Sequence, residues 1–583
     1  MEQLPNAVLQ PKIGTLRKLW KLIPRAQRRQ TPLLLLLLFM GTTLEVVGVG
    51  LLVPLVNLLT NENASPDNSI LSPVFSLFGS TTQLQMLTVG FISIGVVVLV
   101  KNVYLICTAY FQNWQVSKIR TSVDTRLFEY YLQANYTFHL RSNSSNLSRN
   151  LITEVDQITT QVLTPMFAVA VEGAAIVGIM ALLIYVEPLA SLTLVAFFAI
   201  CGVTYTKAVS PLTNRIGVQR AALRGEAFRI IAETLGGIKQ VKILGRENFF
   251  QTRFLANSKN SVRLFARAET VQRIPAYLVE LWGVLGLLVV VFAMLLQGKS
   301  TVAIVSSLGL FVGASFRFVP ALNRILSASQ TLKLAKPAID VVCEEVSRTS
   351  AGQASKAKIN FASELKFEKV SFSYDSEAAH VLHNVSLTLT AGESLGIVGR
   401  SGAGKTTLVD LLLGLLAPTA GWVIVDGKLI DLTRSSWQSE VGYVPQEIFL
   451  IDDTIRNNIA FGIAAQEISE AKIEKSIATA QLTDFVNALP NGLDTVTGER
   501  GVRLSGGQRQ RIGIARALYH EPSFLVLDEA TSALDLEIES EFIKTLEAIH
   551  REITMIIVSH RMSTLKFCDR IVRLEGGALT EVR

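Results

Sequence analysis

The chain of 583 residues is 49% hydrophobic and only 18% charged, and its formal net charge is +7. This length and composition exclude a single ordinary soluble domain and favour a membrane protein with a soluble part. The basic residues cluster beside hydrophobic runs, so they indicate orientation in a membrane and no nucleic-acid partner. The four cysteines are scattered without a CxxC pair, so we expect reduced packing residues rather than a metal site.

The first predicted element is a basic amphipathic helix over residues 13–30, which we expect to lie on the cytoplasmic membrane surface. A solvated basic tail is the alternative. No small-residue cleavage site follows a short apolar stretch, so we do not expect a cleaved signal peptide.

Six apolar segments are long enough to cross a hydrocarbon core about 30 Å thick. They cover residues 32–59, 84–112, 163–186, 188–210, 276–297 and 301–325. The loop over residues 60–83 contains no Lys or Arg, whereas the N-terminus and residues 113–162 are rich in both. The N-terminus is therefore predicted to be cytoplasmic, and six spans return the chain to that side.

The connections between the spans are unequal. On the outer side, Glu187-Pro188 and residues 298–300 leave room only for tight turns. On the inner side, residues 113–162 and 211–275 show helical periodicity, so we expect these helices to continue well beyond the membrane. Polar linkers are the alternative.

The transmembrane domain is predicted to span residues 1–346, and a Ser/Ala/Lys/Gly-rich linker follows over residues 347–358. From residue 359 to residue 583, short apolar runs alternate with helical segments. The runs are SLGIVG, WVIVDG, VGYVP, FLVLDEA and TMIIVSH. This alternation is typical of a mainly parallel sheet covered by helices, so we expect a separate cytoplasmic α/β domain.

A phosphate-binding loop opens this domain. GRSGAGKT follows the apolar strand SLGIV and begins a helix, which is the context that such a loop requires. Its predicted nucleotide-binding residues are Gly399, Arg400, Ser401, Gly402, Ala403, Gly404, Lys405, Thr406 and Thr407. Lys405 is expected to reach the β- and γ-phosphates, and Thr406 to hold Mg²⁺. A chance glycine-rich turn is disfavoured by this context.

The run FLVLDE places two carboxylates at the end of a hydrophobic strand. After a phosphate-binding loop, Asp528 is expected to bind Mg²⁺ and Glu529 to polarise the attacking water. The cofactors predicted from these residues are ATP and Mg²⁺.

Three further features accompany these motifs: LSGGQ at residues 504–508, Gln446 at the end of VGYVPQ, and His560 at the end of TMIIVSH. Together the set resembles the nucleotide-binding domain of ABC transporters. The resemblance implies that Tyr374 stacks on adenine and that His560 clamps the γ-phosphate. It implies that Gln446 senses the γ-phosphate, contacts the membrane domain and helps to hold the metal. It also implies that Asp535 contacts an opposing subunit and that TGERG at residues 497–501 is the cross-talk segment of exporters.

LSGGQ also has a physical rationale of its own. Ser505 and the glycines precede a helix, whose free N–H groups suit a γ-phosphate. The predicted residues of this site are Ser505, Gly506, Gly507 and Gln508. In the family that phosphate is bound by the opposite subunit, so the resemblance implies a homodimer with two ATP sites. Glu529 is present, so both sites are expected to hydrolyse ATP.

Six spans followed by a nucleotide-binding domain resemble an ABC exporter half-transporter. The segments LEVVGVGLLVPL, FRFVPALNRI and LVDLLLGLLAPTAG are similar to bacterial lipid-linked oligosaccharide flippases (PglK-type). One departure is that the nearest arginine, Arg273, precedes Pro275. The resemblance implies a multi-pass flippase in the bacterial inner membrane that moves an anionic lipid-linked saccharide to the outer leaflet.

The sequence leaves other functions to consider. A general exporter of hydrophobic drugs or lipids is the main alternative, and an ATP-gated channel is a further alternative. A peptide exporter with a protease domain is disfavoured because few residues precede the first span and none is Cys. A soluble ABC ATPase acting on nucleic acid is excluded by the six spans.

Cations within the spans are the candidate substrate ligands. Lys101 and Arg317 lie about 25 Å from the outer ends of their spans, and Arg324 and Arg273 lie near the inner interface. Buried charges are costly unless they are paired or face a wet cavity, so a ring of cations suits an anionic head group. The alternative is structural: Glu45, Glu172 and Glu280 could pair with these cations, or the arginines could snorkel.

Overall fold

The computed structural model describes residues 20, 22–50, 83–348, 359–375, 380–531 and 536–582. Several predictions fall outside these residues. They concern residues 13–19 and 21 of the N-terminal amphipathic helix, the end of the first span and the loop after it, residues 349–358 of the linker, and Asp535.

The chain divides into two units. The first comprises Met1–Ala134 and Ser142–Ala351, and the second comprises Asn135–Arg141 and Gly352–Arg583. The short segment Asn135–Arg141 thus interrupts the first unit in sequence but groups with the second.

The helices of the N-terminal part are α1 Arg25–Gly50, α2 Gln83–Gln133, α3 Tyr136–Arg141, α4 Ser144–Arg149, α5 Val155–Ile158, α6 Thr164–Val186, α7 Pro188–Gly236, α8 Ile238–Ile243, α9 Glu247–Leu296, α10 Thr301–Leu334 and α11 Lys336–Arg348. Within the described residues, four stretches are long and apolar enough to cross a membrane: Thr88–Gln133, Ser144–Tyr185, Pro188–Gly236 and Glu247–Leu296. The predicted first span begins within α1, and the predicted sixth span lies within α10.

The long inner connections are helical, as predicted. Helix α7 has 49 residues and α9 has 50, so each extends for about 75 Å, more than twice the thickness of a hydrocarbon core. On the other side the turns are tight, as predicted: α6 ends at Val186 and α7 begins at Pro188. Proline at the first position of α7 is favourable because its missing N–H has no partner to lose there.

Aromatic and aliphatic side chains of α6, α7, α9 and α10 form the core of the membrane unit. The rings of Phe198 and Phe318 have centroids 4.8 Å apart. Gly286 allows α9 to approach α7, since a Cβ there would lie 2.9 Å from Leu194 Cδ1. Van der Waals packing of this kind, with small residues at close approaches, holds helices together in a membrane.

Two π-helical turns, Asn150–Glu154 and Thr159–Leu163, flank α5. They make one continuous helical path from α4 to α6, with residues in helical conformation at each junction. Single π-turns inside α-helices are rare and frequently accompany functional sites.

The described residues of the second unit form ten strands: β1 Glu364–Phe372, β2 Leu382–Thr390, β3 Ser394–Gly399, β4 Ala420–Val425, β5 Lys428–Leu429, β6 Val441–Val444, β7 Phe524–Asp528, β8 Thr554–Val558, β9 Arg570–Glu575 and β10 Ala578–Glu581. Six of them form a sheet in the order β10-β9-β3-β8-β7-β6. The central pairs are parallel, and only β10 pairs antiparallel with its neighbour β9.

One strand prediction was wrong in its placement. The run WVIVDG contributes β4, but β4 belongs to a second, antiparallel sheet in the order β2-β1-β4-β5. Its alternating exposure, with Trp422 exposed and Val423 and Val425 buried, fits a sheet with one covered face. The apolar run alone does not reveal which strand it pairs with.

The helices of this unit are α12 Lys405–Leu412, α13 Ile455–Ile459, α14 Glu470–Thr479, α15 Thr483–Asn487, α16 Gly506–Tyr519, α17 Leu536–Ile549 and α18 Met562–Leu565. Helix α12 is buried between the two sheets, where Leu408, Val409 and Leu412 join a core that includes Trp437 and Phe524. This packing fixes the helix that follows the phosphate-binding loop.

Candidate active site

The phosphate-binding loop connects β3 to α12. Gly402 and Gly404 have φ angles of +80° and +100°, a region that side chains with a Cβ rarely adopt. Gly399 is also required, because a Cβ there would lie 2.6 Å from the carbonyl oxygen of Leu574. The loop residues Arg400 and Ser401 are exposed, and the loop ends at the N-terminus of α12, where free N–H groups and the helix dipole favour a phosphate.

Lys405 lies where the two parallel strands β3 and β8 end. Its Nζ donates to the carbonyl oxygen of Gly399 at 2.6 Å and lies 3.0 Å from His560 Nε2. The structure therefore brings together two of the residues that the sequence assigned to the phosphates.

Glu529 is the centre of the predicted catalytic group. Gln446 Nε2 donates to Glu529 Oε2 at 2.8 Å, and His560 Nε2 lies 2.9 Å from Glu529 Oε1. The backbone of Glu529 is left-handed, with a φ of +50°. The three predicted catalytic residues thus meet at the carboxylate of Glu529, and the backbone of that residue has an uncommon conformation.

Asp528, the predicted Mg²⁺ ligand, ends β7 beside Glu529. Burial raises its pKa, the adjacent Glu529 raises it further, and Lys405 lowers it. The buried Asp410 of α12 is a second carboxylate near Asp528: its burial, and then the charge of Asp528, raise the pKa of Asp410 to about 6. The sequence interpretation did not single out Asp410.

The signature segment begins α16 with a reciprocal cap. The backbone N–H of Gln508 donates to Ser505 Oγ at 3.2 Å, and Gln508 Oε1 accepts from the backbone N–H of Ser505 at 2.8 Å. Gly506 and Gly507 form the first turn of the helix. This capping box fixes the start of the helix and leaves a glycine-lined N-terminus.

Tyr374, the predicted adenine-stacking residue, lies beside α12. Its hydroxyl is 3.1 Å from Thr407 Oγ1, its ring meets Phe372 edge-on at 4.9 Å, and the side chain is 40% exposed. An anchored aromatic ring with an accessible face suits stacking on a base. The adenine-stacking role of Tyr374 stays a prediction.

The residues present suit ATP with Mg²⁺. Among the described residues, no group of three or more His, Cys, Asp or Glu side chains could hold a metal by itself. Mg²⁺ commonly takes only one or two protein carboxylates and completes its shell with phosphates and water. Asp528 with the oxygens of Thr406 and Gln446 matches that requirement.

A cluster of three charges, Glu172 with Arg317 and Arg324, lies in the membrane unit. Arg317 Nη1 donates to Glu172 Oε2 at 3.0 Å, and Arg324 Nε lies 2.8 Å from Glu172 Oε1. The side chains of Glu172 and Arg317 are 9% and 17% exposed, whereas Arg324 is 52% exposed. Within the described part of the chain, no ion pair joins Lys101 or Arg273 to Glu172.

Comparisons with known proteins match both the membrane part and the nucleotide-binding part of the chain. Residues 382–532 match the family model "ABC transporter", and residues 32–316 match "ABC transporter transmembrane region". An ATP-dependent lipid A-core flippase of Ralstonia nicotianae is 32% identical over 86% of this chain and 85% of that protein. A protein of the same name from Cupriavidus metallidurans is 31% identical over the same shares.

The chain belongs to the ABC transporter family. A solved bacterial Atm1-family ABC exporter with ATP bound covers 96% of this transporter, with 94% of its own chain aligned, a TM-score of 0.75 and 23% identity. The predicted fold class, an exporter-type half-transporter with a helical transmembrane part and an α/β nucleotide-binding domain, is confirmed. This ABC transporter hydrolyses ATP to drive transport.

Two contacts of this transporter were absent from the sequence interpretation. Gln510, on the second turn of α16, donates to the carbonyl oxygen of Glu529 at 3.1 Å. Arg141 of α3 pairs with Asp375 at 2.8 Å. The repeated glutamine in LSGGQRQ was the available signal for the first contact, but the second depends on tertiary structure and has no local signal.

Proposed function

We propose that two copies of this chain form an ATP-driven flippase of the bacterial inner membrane. Its substrate is an anionic lipid whose head group carries phosphate and saccharide, as in a lipid-linked oligosaccharide. The N-terminus and the nucleotide-binding domains face the cytoplasm, and the lipid moves from the inner to the outer leaflet.

The observation that carries this proposal is the charge cluster of Glu172, Arg317 and Arg324. Two guanidinium groups contact the two oxygens of one carboxylate, so Glu172 holds both cations together on one face of α10. A cation in a membrane span is costly unless it is paired or faces a wet cavity, and such residues commonly line substrate pathways. Arg324 is half exposed, so its outer N–H groups remain accessible to a phosphate.

The relatives support the lipid class. Proteins named ATP-dependent lipid A-core flippases are about 30% identical to this chain over more than four fifths of its length. A lipid A-core and a pyrophosphate-linked saccharide share the chemistry that arginines recognise, namely phosphate oxygens beside sugar hydroxyls.

The ATP site supplies the driving reaction. Lys405 and the loop N–H groups would bind the phosphates, while Thr406, Asp528 and Gln446 would hold the Mg²⁺ that neutralises phosphate charge. Glu529 would orient the attacking water, and His560 lies where it would contact the γ-phosphate. Ser505 and the α16 N-terminus of one copy would complete the site of the other copy, as would Asp535.

Reconstitution of the purified protein in proteoliposomes tests the proposal. Three lipids are compared: a polyprenyl-pyrophosphate-linked saccharide, lipid A-core, and a neutral glycolipid of similar size. ATP-dependent movement of either anionic lipid but not of the neutral one supports the proposal, and the active lipid identifies the source of the phosphate. Equal movement of all three lipids would instead indicate a general lipid exporter. An ionic current without sustained ATP hydrolysis would indicate a channel.

A further inference from the structure

The buried amide of Gln510 links the signature helix to the catalytic carboxylate within one chain. Gln510 is 3% exposed, and its Nε2 donates to the backbone carbonyl oxygen of Glu529 at 3.1 Å. A buried donor that bonds to a backbone carbonyl in this way constrains that peptide, because breaking the bond would leave both polar atoms without water.

The peptide that Gln510 contacts needs such a constraint. Glu529 has a φ of +50°, which disfavours any side chain with a Cβ. Its N–H donates to the carbonyl oxygen of Val558 at 2.9 Å, so one hydrogen bond holds each side of the residue. Loss of the Gln510 bond would release the carbonyl side and let the residue relax toward ordinary φ values.

The direction of the Glu529 side chain depends on that backbone. Its two carboxylate oxygens lie at 2.8 Å from Gln446 and 2.9 Å from His560, and both contacts require the present orientation. A catalytic group that is displaced by about 1 Å loses much of its effect, since proximity and orientation supply a large part of the rate enhancement.

Helix α16 connects this contact to the signature segment. Ser505 caps the helix and Gln510 follows five residues later, so a movement of the signature segment is transmitted to Gln510 through about one and a half helical turns. We propose that Gln510 is a positioning residue that couples the placement of the signature segment to the orientation of Glu529.

This coupling has a consequence for the proposed homodimer, on which this step rests. The signature segment of one copy would face the nucleotide of the other, while Glu529 acts on the nucleotide of its own copy. Gln510 would then allow the engagement of one ATP site to align the carboxylate of the second site.

The test compares Gln510→Met with a matched control on the same helix. Methionine keeps the length and burial of the side chain but cannot donate. The control is Arg511→Met, which changes the neighbouring residue and removes, among the contacts of Arg511, a donor to the carbonyl oxygen of Gln481. We expect kcat to fall about five- to tenfold for Gln510→Met, with KM for ATP changed by less than about twofold. The control is expected to retain the native kcat.

A double-mutant cycle separates positioning from a general structural role. In the Glu529→Gln background, single-turnover hydrolysis no longer depends on an oriented carboxylate, so adding Gln510→Met should have little further effect. The same proportional loss in both backgrounds, or a parallel loss of ATP binding and Tm, would overturn the proposal. If Gln510→Met does not fold, Gln510→Asn replaces it, because the shorter amide stays polar but cannot reach Glu529.

The homodimer is checked on the same samples by mass measurement and by the dependence of rate on ATP concentration. A kcat loss that is accompanied by loss of cooperativity supports coupling between the two sites. Unchanged cooperativity in an intact dimer would reject the coupling, whereas a monomeric native protein would reject the proposed dimeric function instead.

Discussion

Arg317 Nη1 lies 3.0 Å from Glu172 Oε2, while the other oxygen of the same carboxylate contacts Arg324. Arg317 and Arg324 are seven residues apart on α10, so two helical turns place them on one face. Each arginine therefore has the same anionic partner, and removing one leaves Glu172 paired with the other.

Arg317→Gln is predicted to reduce flipping of the anionic lipid at least about fivefold and to leave basal ATPase within about twofold of the native rate. In the proposed function the guanidinium contributes to the binding of the head group and has no role in nucleotide binding. Flipping and ATPase are measured on the same folded variants in proteoliposomes, and Arg324→Gln is expected to behave in the same way.

Glu172→Gln is the matched control for these arginine variants. It removes the competing anion and retains both cations, so the concentration of anionic lipid that gives half-maximal flipping should fall or stay unchanged. If all three variants lose flipping and ATPase together, the cluster is only structural, and the head-group role is rejected.

Glu529→Gln should retain ATP binding and lower steady-state ATPase by at least about a hundredfold, because an amide cannot polarise the water as a carboxylate does. Lys405→Ala should instead weaken nucleotide binding, since it removes a charge directed at the phosphates. Turnover and the dissociation constant of a fluorescent ATP analogue distinguish these effects. Near-native turnover in Glu529→Gln would defeat the assignment of the catalytic carboxylate.

Arg141→Gln should uncouple hydrolysis from transport. We expect residues 136–147 and 225–237 to transmit nucleotide-dependent changes near Gln446; the first segment includes α3, whose Arg141 pairs with Asp375. Both side chains are more than 60% exposed, so the pair contributes little to stability. The number of lipids moved per ATP should fall while ATPase persists, and Asp375→Asn should reproduce the effect. An unchanged ratio in both variants would exclude this contact from the transmission route.

The buried Asp410 gives a pH-dependent prediction. Its pKa is about 6 in the folded chain, so between pH 4 and 6 the folded state binds the proton of Asp410 more tightly than the unfolded state does. The contribution of Asp410 to the free energy of unfolding therefore falls as pH rises through this range. Asp410→Asn removes this penalty, which is on the order of 3 kcal/mol above pH 6. The Tm difference between the variant and the native protein, without nucleotide and with chelator, should grow from pH 4 to pH 6 and then level off. A constant difference would contradict the prediction.

Much of the fold could be predicted because its signals are local. The apolar runs predicted the four stretches that are long and apolar enough to cross a membrane and most of the parallel strands. The motifs GRSGAGKT, FLVLDE, VGYVPQ and TMIIVSH identified the residues that meet around Lys405 and Glu529. The roles assigned to these residues in binding and catalysis stay predictions.

What could not be predicted depends on contacts between distant segments. The pairing of β4 with β1 is set by which faces are covered, not by the run WVIVDG. The seven-residue spacing predicted a common face for Arg317 and Arg324, but the pairing of both with Glu172 depends on the packing of α6 against α10. The Gln510 contact likewise needs the return of β7 beside α16.

The two π-turns before α6 set the rotational phase of that helix. Relative to a regular α-helix, each π-turn accommodates one additional residue, and one residue corresponds to about 100° of rotation. The direction in which Glu172 projects is therefore linked to the chain length of residues 150–163 as well as to its own position. Deleting one residue within a π-turn would restore a regular α-helical turn and keep this phase, whereas a one-residue deletion between the π-turns and Glu172 would turn the carboxylate by about 100° without altering any charged side chain.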